Sequence, residues 1–286
     1  MNDQLDRRLY AYRPDLADIR LRDRVSAERY TDGMPAEVIV PVADIRPRPD
    51  AACSIDTQAL FGEALIVFDS SGGWAWVQLA ADGYVGYVRE QDIGQDSGEI
   101  THVVSVPRSF VYPGADLRFP HLKALSMGSR LRITGAAETR GTAYALLEDG
   151  SAIIAAHLRP AADIAAEDAV SVAARFLATP YLWGGRSGFG IDCSGLVQMA
   201  LAMTGKSAPR DSDQQAAGLG RIIDPETDGL QRGDLVFWKG HVGFIEDSET
   251  LLHASGGTMD VTREPLRDAI DRIARLYGLP TCYRRP

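Results

Sequence analysis

The stretch that decides the fold is YLWGGRSGFGIDCSGLVQMALAMTG, residues 181–205, in which a glycine-rich turn runs directly into an apolar helical segment. Apolar residues recur at helical spacing after Cys193, and Gly205 follows the last of them, so we predict a helix over residues 193–204. Asp192 precedes the first turn, where a carboxylate can cap free backbone N–H groups. The sequence therefore places a cysteine at the start of a capped helix.

Cys193 is a candidate nucleophile because of this position. The thiolate is the nucleophilic form of cysteine, and free N–H groups at a helix N-terminus stabilise it. The flanking glycines let other backbone groups come close, as a substrate cleft requires. The alternative interpretation is an inert buried residue, which describes most buried cysteines. A base within reach of the thiol decides between the two.

Two of the five histidines follow Cys193 along the chain, each in a strand-like run. His241 begins HVGFIE, and His253 lies in LLHAS. If the runs form a hairpin in which Gly243 faces His253, the loop is Asp247–Glu249 and both imidazoles lie on one face, about 7 Å apart. A shift by one residue would put them on opposite faces. We predict the shared face, with one imidazole as base to the thiol and the other orienting it; we assign His241 as the base, although alternation leaves the roles interchangeable.

Two other chemistries are disfavoured by spacing. Cys193, His241 and His253 are ligand types that zinc accepts, but the chain has neither HExxH nor paired CxxC spacing. The glycine-rich turn lacks the following Lys-Ser or Lys-Thr pair of a phosphate-binding loop. We expect no metal and no organic cofactor.

The composition is that of an ordinary globular chain. The 286 residues are 45% hydrophobic and 24% charged, and the formal net charge is −9, which argues against nucleic acid or an anionic membrane as a partner. The N-terminus lacks the apolar core of a secretory signal, and no apolar run is long enough to span a bilayer. Three scattered cysteines do not suggest a disulfide framework. We expect a cytoplasmic monomer.

The part of the chain that precedes the cysteine-bearing segment has the sequence pattern of a β protein. Short alternating runs, among them VIVPV, ALIVF and WAWVQLA, are separated by Gly, Asp and Ser. This part looks duplicated: Leu65 aligns with Leu131, Val67 with Ile133, and the Asp82-Gly83 turn with Asp149-Gly150. After it, a helix is predicted over residues 167–178, ended by Pro180.

From these patterns we predict an α+β C-terminal domain, with helices first and a sheet afterwards, preceded by two small all-β barrels. The predicted boundaries are an N-terminal arm at 1–34, barrels at 35–97 and 98–162, and the α+β domain at 163–286.

Taken together, the motifs resemble those of the NlpC-type cell-wall peptidases, papain-like cysteine enzymes that act on bacterial peptidoglycan peptides. Tyr-x-Trp-Gly-Gly, the Asp-Cys-Ser-Gly box, GDLVFW, HVGFIE and LLHASG occur in the family's order within residues 163–286. Both barrels resemble bacterial SH3-like domains. This combination resembles the γ-D-glutamyl-L-diamino acid endopeptidases of the family and implies a papain-like catalytic domain.

The resemblance also implies residue roles. Cys193 becomes the nucleophile, His241 the base and His253 the third polar residue. The other implied positions are Tyr181, with its hydroxyl at the catalytic centre; Asp192, Ser194, Asp211 and Ser212 in the substrate cleft; and Tyr84 and Glu63, through which the first barrel would close one end of the cleft.

The expected substrate is a peptide that begins with a free L-alanine, cleaved between γ-D-glutamate and meso-diaminopimelate or lysine during recycling of released muropeptides. Two rival hypotheses are a wall-binding protein in which the SH3-like barrels do the work, and an amidase or acyltransferase on the same fold. The intact Cys/His/His set favours the peptidase over the wall-binding protein.

Overall fold

The computed structural model describes residues 5–165 and 167–286. Residues 1–4 of the predicted arm and Ala166 of the predicted α+β domain lie outside the described residues. The chain divides into two compact units, Met1–Ala162 and Asp163–Pro286. In the described part of the chain, no helix combines the length and apolar character needed to cross a bilayer.

The N-terminal unit is built from β-strands. In chain order they are β1 Leu16–Asp18, β2 Arg29–Thr31, β3 Met34–Val38, β4 Val42–Ile45, β5 Thr57–Leu60, β6 Ala64–Ser71, β7 Trp74–Leu79, β8 Val85–Arg89, β9 Ile93–Gln95, β10 His102–Val104, β11 Arg108–Tyr112, β12 Lys123–Ser126, β13 Arg130–Leu131, β14 Ile133–Thr139, β15 Thr142–Leu147, β16 Ala152–Ile154 and β17 Leu158–Pro160. One sheet has the order β8-β7-β6-β3-β9, and a second has the order β12-β11-β16-β15-β14. Strand β4 pairs with β5, and β10 lies between β13 and β17.

The two sheets share local irregularities at the positions that align in sequence. A β-bulge follows Val67 in the β6–β7 ladder, and another follows Ile133 in the β14–β15 ladder. The turn glycines Gly83 and Gly150 both have positive φ, at 77° and 79°. A bulge and a left-handed glycine at matched places are specific features, so they support the internal duplication. That the second copy is itself an SH3-like barrel stays a prediction.

Each copy closes over its own apolar cluster. The first contains Ala36, Val38, Ala43, Ile45, Ala59, Leu65, Ala75, Val77, Leu79, Tyr84 and Val88. The second contains Val104, Val111, Leu125, Leu131, Ala145 and Ile153. The run VIVPV, predicted as one strand, is instead a corner: Val38 ends β3 and Val42 begins β4, so its two ends lie in different sheets.

The N-terminal arm covers the outer face of the first barrel. Ala11 and Leu16 pack with Trp76 and neighbouring apolar residues. The guanidinium of Arg13 lies 4.4 Å from the centre of the Trp76 ring and forms an ion pair of 2.6 Å with Asp69. The arm is therefore part of the N-terminal unit and not a free extension.

The C-terminal unit combines helices with antiparallel strands. Its elements are α1 Ala169–Ala174, β18 Arg186–Ser187, β19 Gly190–Ile191, α2 Cys193–Met203, α3 Ser212–Gly218, β20 Arg221–Ile223, α4 Pro225–Asp228, β21 Leu235–Trp238, β22 His241–Ile245, β23 Thr250–Ser255, β24 Asp260–Pro265, α5 Leu266–Tyr277 and β25 Cys282–Arg285. The main sheet has the order β20-β25-β21-β22-β23-β24. Helix α2 is buried over nearly its whole length and contacts α1, β22 and β23.

Two predictions about this unit need correction. Helix α1 is shorter than predicted, because the backbone leaves the helix before Ala178, which has a φ of 60°. The order of helices first and sheet afterwards is also incomplete, since α5 follows β24 and the last strand, β25, returns between β20 and β21. Leu266, Ala269 and Ile273 have helical spacing and bury one face of α5 against the sheet core.

Candidate active site

The histidine hairpin has the predicted register. Phe244 faces Leu252 and Ile245 faces Leu251, which is the same pairing that sets Gly243 against His253. The Nε2 atom of His241 lies 2.7 Å from Nδ1 of His253, a hydrogen-bond distance. The prediction that both imidazoles share one face is confirmed. Their ring centres are 5.0 Å apart, closer than the expected diagonal spacing, because the rings lean together.

Cys193 lies against the end of β22 at which His241 begins the strand. It is the first residue of α2, and Asp192 caps that helix by accepting from the N–H of Gly195. The sulfur is 4.0 Å from the carbonyl oxygen of Gly240 and interacts with the backbone N–H of Val242. Because Gly240 precedes His241 and Val242 follows it, the thiol lies against the end of β22 that carries the imidazole.

Burial controls the protonation of this pair. Removal from water, with the Asp192 carboxylate adding to it, raises the pKa of Cys193 to about 12, although the N–H groups of Val242 and Ser194 act in the opposite direction. Burial, and then repulsion from His253, lowers the pKa of His241 to about 3. The resting pair is therefore a neutral thiol and a neutral imidazole at neutral pH. The stabilisation of a thiolate expected from the helix N-terminus is present but smaller than the cost of desolvation.

Tyr181 is held near the thiol. Its backbone bridges Ile191, and its N–H donates to the carbonyl of Met259 at 2.8 Å. Partial burial, and then the charges of Cys193 and Asp192, raise the pKa of the phenol above its usual range. The hydroxyl thus stays protonated and can donate a hydrogen bond in the site, in keeping with the predicted position of Tyr181.

Asp192 is engaged by a residue that the sequence analysis did not select. Arg210 donates from Nη1 to Oδ1 at 3.0 Å and from Nη2 to Oδ2 at 2.7 Å, a two-point ion pair. The Arg210 side chain is only 1% exposed. The same carboxylate accepts from the N–H groups of Gly195 and Gly184 at 2.7 and 2.9 Å. Asp192 therefore fixes the glycine-rich turn and the start of α2 together.

Ser194 belongs to the same buried network. Its hydroxyl lies 2.9 Å from Nη1 of Arg210, and its backbone carbonyl accepts from Nε2 of Gln215 at 3.1 Å. The other predicted cleft residues begin α3: Asp211 is the residue before the helix and Ser212 its first residue, and both are half-buried. The structure thus gathers Ser194 with Asp192 and places Asp211 directly after Arg210.

The two predicted cleft residues on the first barrel lie in the N-terminal unit. Tyr84 is part of the apolar cluster of that barrel, and Glu63 accepts from the N–H of Leu60 at 2.9 Å. Both side chains are buried. Their closing of the substrate cleft stays a prediction.

A carboxylate lies behind the histidine pair. Oε1 of Glu264 is 2.8 Å from Nε2 of His253, although it lies off the line of the ring N–H. Glu264 also forms an ion pair with Arg272. Partial burial alone would raise the pKa of Glu264, but the contacts with His253 and Arg272 outweigh it and lower the pKa to about 2. The sequence analysis did not select Glu264. Extending the predicted hairpin by pairing a third strand with the strand of His253 could have identified it.

A zinc site gains no support from this geometry. The facing nitrogens of His241 and His253 are hydrogen-bonded to each other, so neither is free to ligate a metal without breaking that contact. Among the described residues, no group of three His, Cys, Asp or Glu side chains is arranged to hold a metal ion.

A cysteine at a buried helix start, an imidazole on a strand that the helix contacts and a second imidazole within hydrogen-bond distance of the first form the arrangement of a papain-like cysteine peptidase site. The family model described as NlpC/P60 matches residues 178–272, and the bacterial dipeptidyl-peptidase Sh3 domain model matches residues 45–93. A probable endopeptidase of Corynebacterium glutamicum is 31% identical over 173 residues, which are 59% of this chain and 73% of that protein. The chain belongs to the NlpC/P60 family and is a cysteine peptidase.

Similarity over more of the chain is found in one sequence and in one crystal structure from Bacillus cereus. A γ-D-glutamyl-L-lysine dipeptidyl-peptidase of Bacillus cereus is 29% identical over 244 residues, covering 75% of this chain and 72% of that protein. The crystal structure of an NlpC/P60 family protein from Bacillus cereus superposes with a TM-score of 0.73 at 24% identity, covering 88% of this chain and 99% of that one. The two chains therefore share a fold, and in this chain the matched SH3 domain precedes the papain-like domain.

Proposed function

We propose that this peptidase hydrolyses the bond between γ-D-glutamate and a diamino acid in peptides that begin with L-alanine. The observation that carries the proposal is the arrangement of the Cys193 thiol against the strand end bearing His241, which is hydrogen-bonded to His253. The name of the Bacillus cereus relative, a γ-D-glutamyl-L-lysine dipeptidyl-peptidase, supports the choice of the bond after γ-D-glutamate. Because that name specifies L-lysine, a lysine peptide is the first substrate to test, beside its meso-diaminopimelate analogue.

The mechanism starts from the neutral pair. As the sulfur of Cys193 attacks the γ-carbonyl carbon, its proton passes to His241, so no free thiolate needs to form in the buried site. The tetrahedral intermediate collapses when the C–N bond breaks and His241 returns the proton to the leaving amine. Because the pKa of His241 is low, its protonated form is a strong acid and gives up the proton readily at this step. Water then attacks the acyl carbon and gives a proton to His241. The C–S bond breaks, the dipeptide leaves with a free γ-carboxyl group, and His241 returns the proton to the sulfur.

We assign Tyr181 the role of donating a hydrogen bond from its hydroxyl to the carbonyl oxygen of the bond that is cleaved. The oxygen becomes negative in the tetrahedral intermediate, and a neutral hydrogen-bond donor beside it stabilises that charge. The raised pKa of Tyr181 keeps its hydroxyl protonated for this purpose.

Recognition of the free amine is assigned to carboxylates of the cleft. Asp192 carries the negative charge for this role, and the substrate amine would share its oxygens with Arg210. We assign Ser194, Asp211 and Ser212 to the same part of the cleft. Tyr84 and Glu63 would complete the closed end. An N-acetylated peptide has no ammonium group, so we expect it to resist cleavage.

The place of action belongs to the same proposal. A required free L-alanine amine restricts the enzyme to released muropeptides, which suggests a recycling role in the cytoplasm as a monomer. Cys53, Cys193 and Cys282 are free thiols, as a reducing compartment would maintain them. Immunoblotting of fractionated cells of the source organism tests this: signal confined to the wall or medium would contradict it.

The test of the activity compares free and N-acetylated L-Ala-γ-D-Glu-L-Lys with wild-type protein and with Cys193→Ala. We expect release of L-Ala-γ-D-Glu only from the free peptide and only by the wild type. Equal cleavage of both peptides would remove the amine requirement. Binding of purified sacculi with no turnover of any peptide would favour the wall-binding hypothesis, and release of ammonia or transfer to an added amine would favour an amidase or acyltransferase.

A further inference from the structure

Three polar side chains form a line across β22, β23 and β24. His253 faces Thr262 in the β23–β24 ladder, so Glu264, two residues further along β24, lies on the same face and diagonal to His253. The line runs from His241 through the 2.7 Å contact to His253 and through the 2.8 Å contact to Glu264. Its inner end is the imidazole beside Cys193.

The ionised carboxylate at the outer end has a consequence for where the ring protons lie. A carboxylate accepts hydrogen bonds and cannot donate them. A carboxylate oxygen 2.8 Å from a bare ring nitrogen would set two lone pairs against each other, so Nε2 of His253 carries a proton even though the oxygen lies off the N–H line. Nδ1 of His253 is then left as the acceptor toward His241. Nε2 of His241 then carries a proton toward that acceptor, and the lone pair of neutral His241 is left on Nδ1, the nitrogen turned away from His253.

We propose that Glu264 is a positioning residue that fixes the tautomers of His253 and His241, so that the basic Nδ1 of His241 is the nitrogen offered to Cys193. This proposal rests on the proposed catalytic roles of Cys193 and His241. Glu264 touches neither the thiol nor His241, and it acts through His253. Of the permanently charged side chains that influence His241, Arg272 disfavours the positive form that His241 adopts during the reaction and Glu264 favours it.

Arg272 holds the carboxylate in place. It reaches Glu264 from α5, with Nε 3.3 Å from Oε2 and a second contact from Nη2 to Oε1. Its guanidinium also packs on Gly257, where a Cβ atom would come within 2.9 Å of Nη1. Gly257 thus lies against the guanidinium that holds Glu264. Helix α5 and β24 together fix the position of Glu264.

The first measurement does not depend on substrate. The ¹⁵N chemical shifts of the ring nitrogens report which nitrogen is protonated, and we expect protonated Nε2 and bare Nδ1 in both His241 and His253 of the wild type. In Glu264→Ala we expect mixed tautomers at both rings. Glu264→Gln keeps an acceptor oxygen without the charge, so we expect it to retain the wild-type tautomers.

The second measurement is hydrolysis of L-Ala-γ-D-Glu-L-Lys. We expect Glu264→Ala to lower kcat roughly 10- to 100-fold with little change in KM, and Glu264→Gln to fall between it and the wild type. The matched control is Glu246→Gln, which breaks the ion pair between Glu246 and Arg263, the residue next to Glu264, without touching either histidine. We expect the control to keep wild-type kcat.

The outcomes separate the two proposals. Unchanged tautomers in Glu264→Ala, in a folded protein, would overturn the role of Glu264 even if activity fell. A kcat within twofold of wild type in Glu264→Ala would also overturn it. If the wild type shows the expected tautomers but cleaves no peptide, the proposed function fails while the assignment of Glu264 stands on the spectra.

Discussion

Replacing Arg210 by methionine would leave the Asp192 carboxylate buried without its cationic partner. The Arg210 side chain is 1% exposed and that of Asp192 is 10% exposed, so water cannot take the place of the guanidinium. Removing one member of a buried ion pair costs about 3–5 kcal/mol in the free energy of unfolding, because the charge left behind stays desolvated. We expect a loss of that size in the unit Asp163–Pro286.

The expected change in melting temperature follows from the size of this unit. At about 2.1 cal/mol/K of unfolding entropy per residue, a unit of this length has an unfolding entropy of roughly 0.26 kcal/mol/K, and the loss corresponds to about 12–19 °C in Tm. Scanning calorimetry of the whole chain measures it, with the thermogram of the wild type as the reference.

Two further variants control this prediction. Arg221 forms an ion pair with Asp228 at the surface, with side chains 55% and 35% exposed, so Arg221→Met should cost no more than about 1 kcal/mol. Adding Asp192→Asn to Arg210→Met removes the orphaned charge and should restore part of the lost Tm. The reasoning is refuted if Arg210→Met melts within a few degrees of the wild type, or if it melts no lower than Arg221→Met.

Two other predictions concern protonation. The pKa of His241 is about 3 in the folded chain, below the ordinary value of 6.5, so the unfolded chain binds more protons between these pH values. Stability contributed by His241 should therefore be present above pH 6.5 and be lost as pH falls toward 3, and urea unfolding at several pH values should show a shallower acid loss in His241→Gln; an identical loss in both proteins would contradict this. Because burial raises the pKa of Cys193 to about 12, the resting enzyme should show no thiolate absorbance near 240 nm at pH 7 relative to Cys193→Ser. A thiolate band at that pH would show that the site stabilises an ion pair.

The proposed catalytic trio could be selected from the sequence because each member follows a local rule. Cys193 follows a capping aspartate at a helix start, and alternation along two adjacent strands brings His241 and His253 to one face. Such rules depend on few residues and survive without knowledge of the rest of the fold. The corner after Val38 could not be predicted in this way. Alternation of apolar residues does not show where the chain leaves one sheet and enters another.

Arg210 and Glu264 could not be selected in the same way. Charged residues are usually solvated, and the sequence does not say which of the thirty Lys and Arg residues is buried. Arg210 meets Asp192 only because the segment after α2 returns to the start of that helix. Glu264 meets His253 only when the loop before β24 has its actual length and turns at Met259, which has a φ of 61°. The pKa of Cys193 likewise depends on packing from several elements.

The central claim is that Cys193 forms an acyl-enzyme with the L-Ala-γ-D-Glu half of the substrate. Rapid mixing of the enzyme with L-Ala-γ-D-Glu-L-Lys, acid quenching and mass spectrometry of the intact protein and its peptides tests it most directly. We predict a transient increase in mass equal to that acyl group, located on the peptide that contains Cys193 and absent from Cys193→Ala. An acyl group on another residue, or release of the dipeptide by Cys193→Ala at the wild-type rate, would contradict the account.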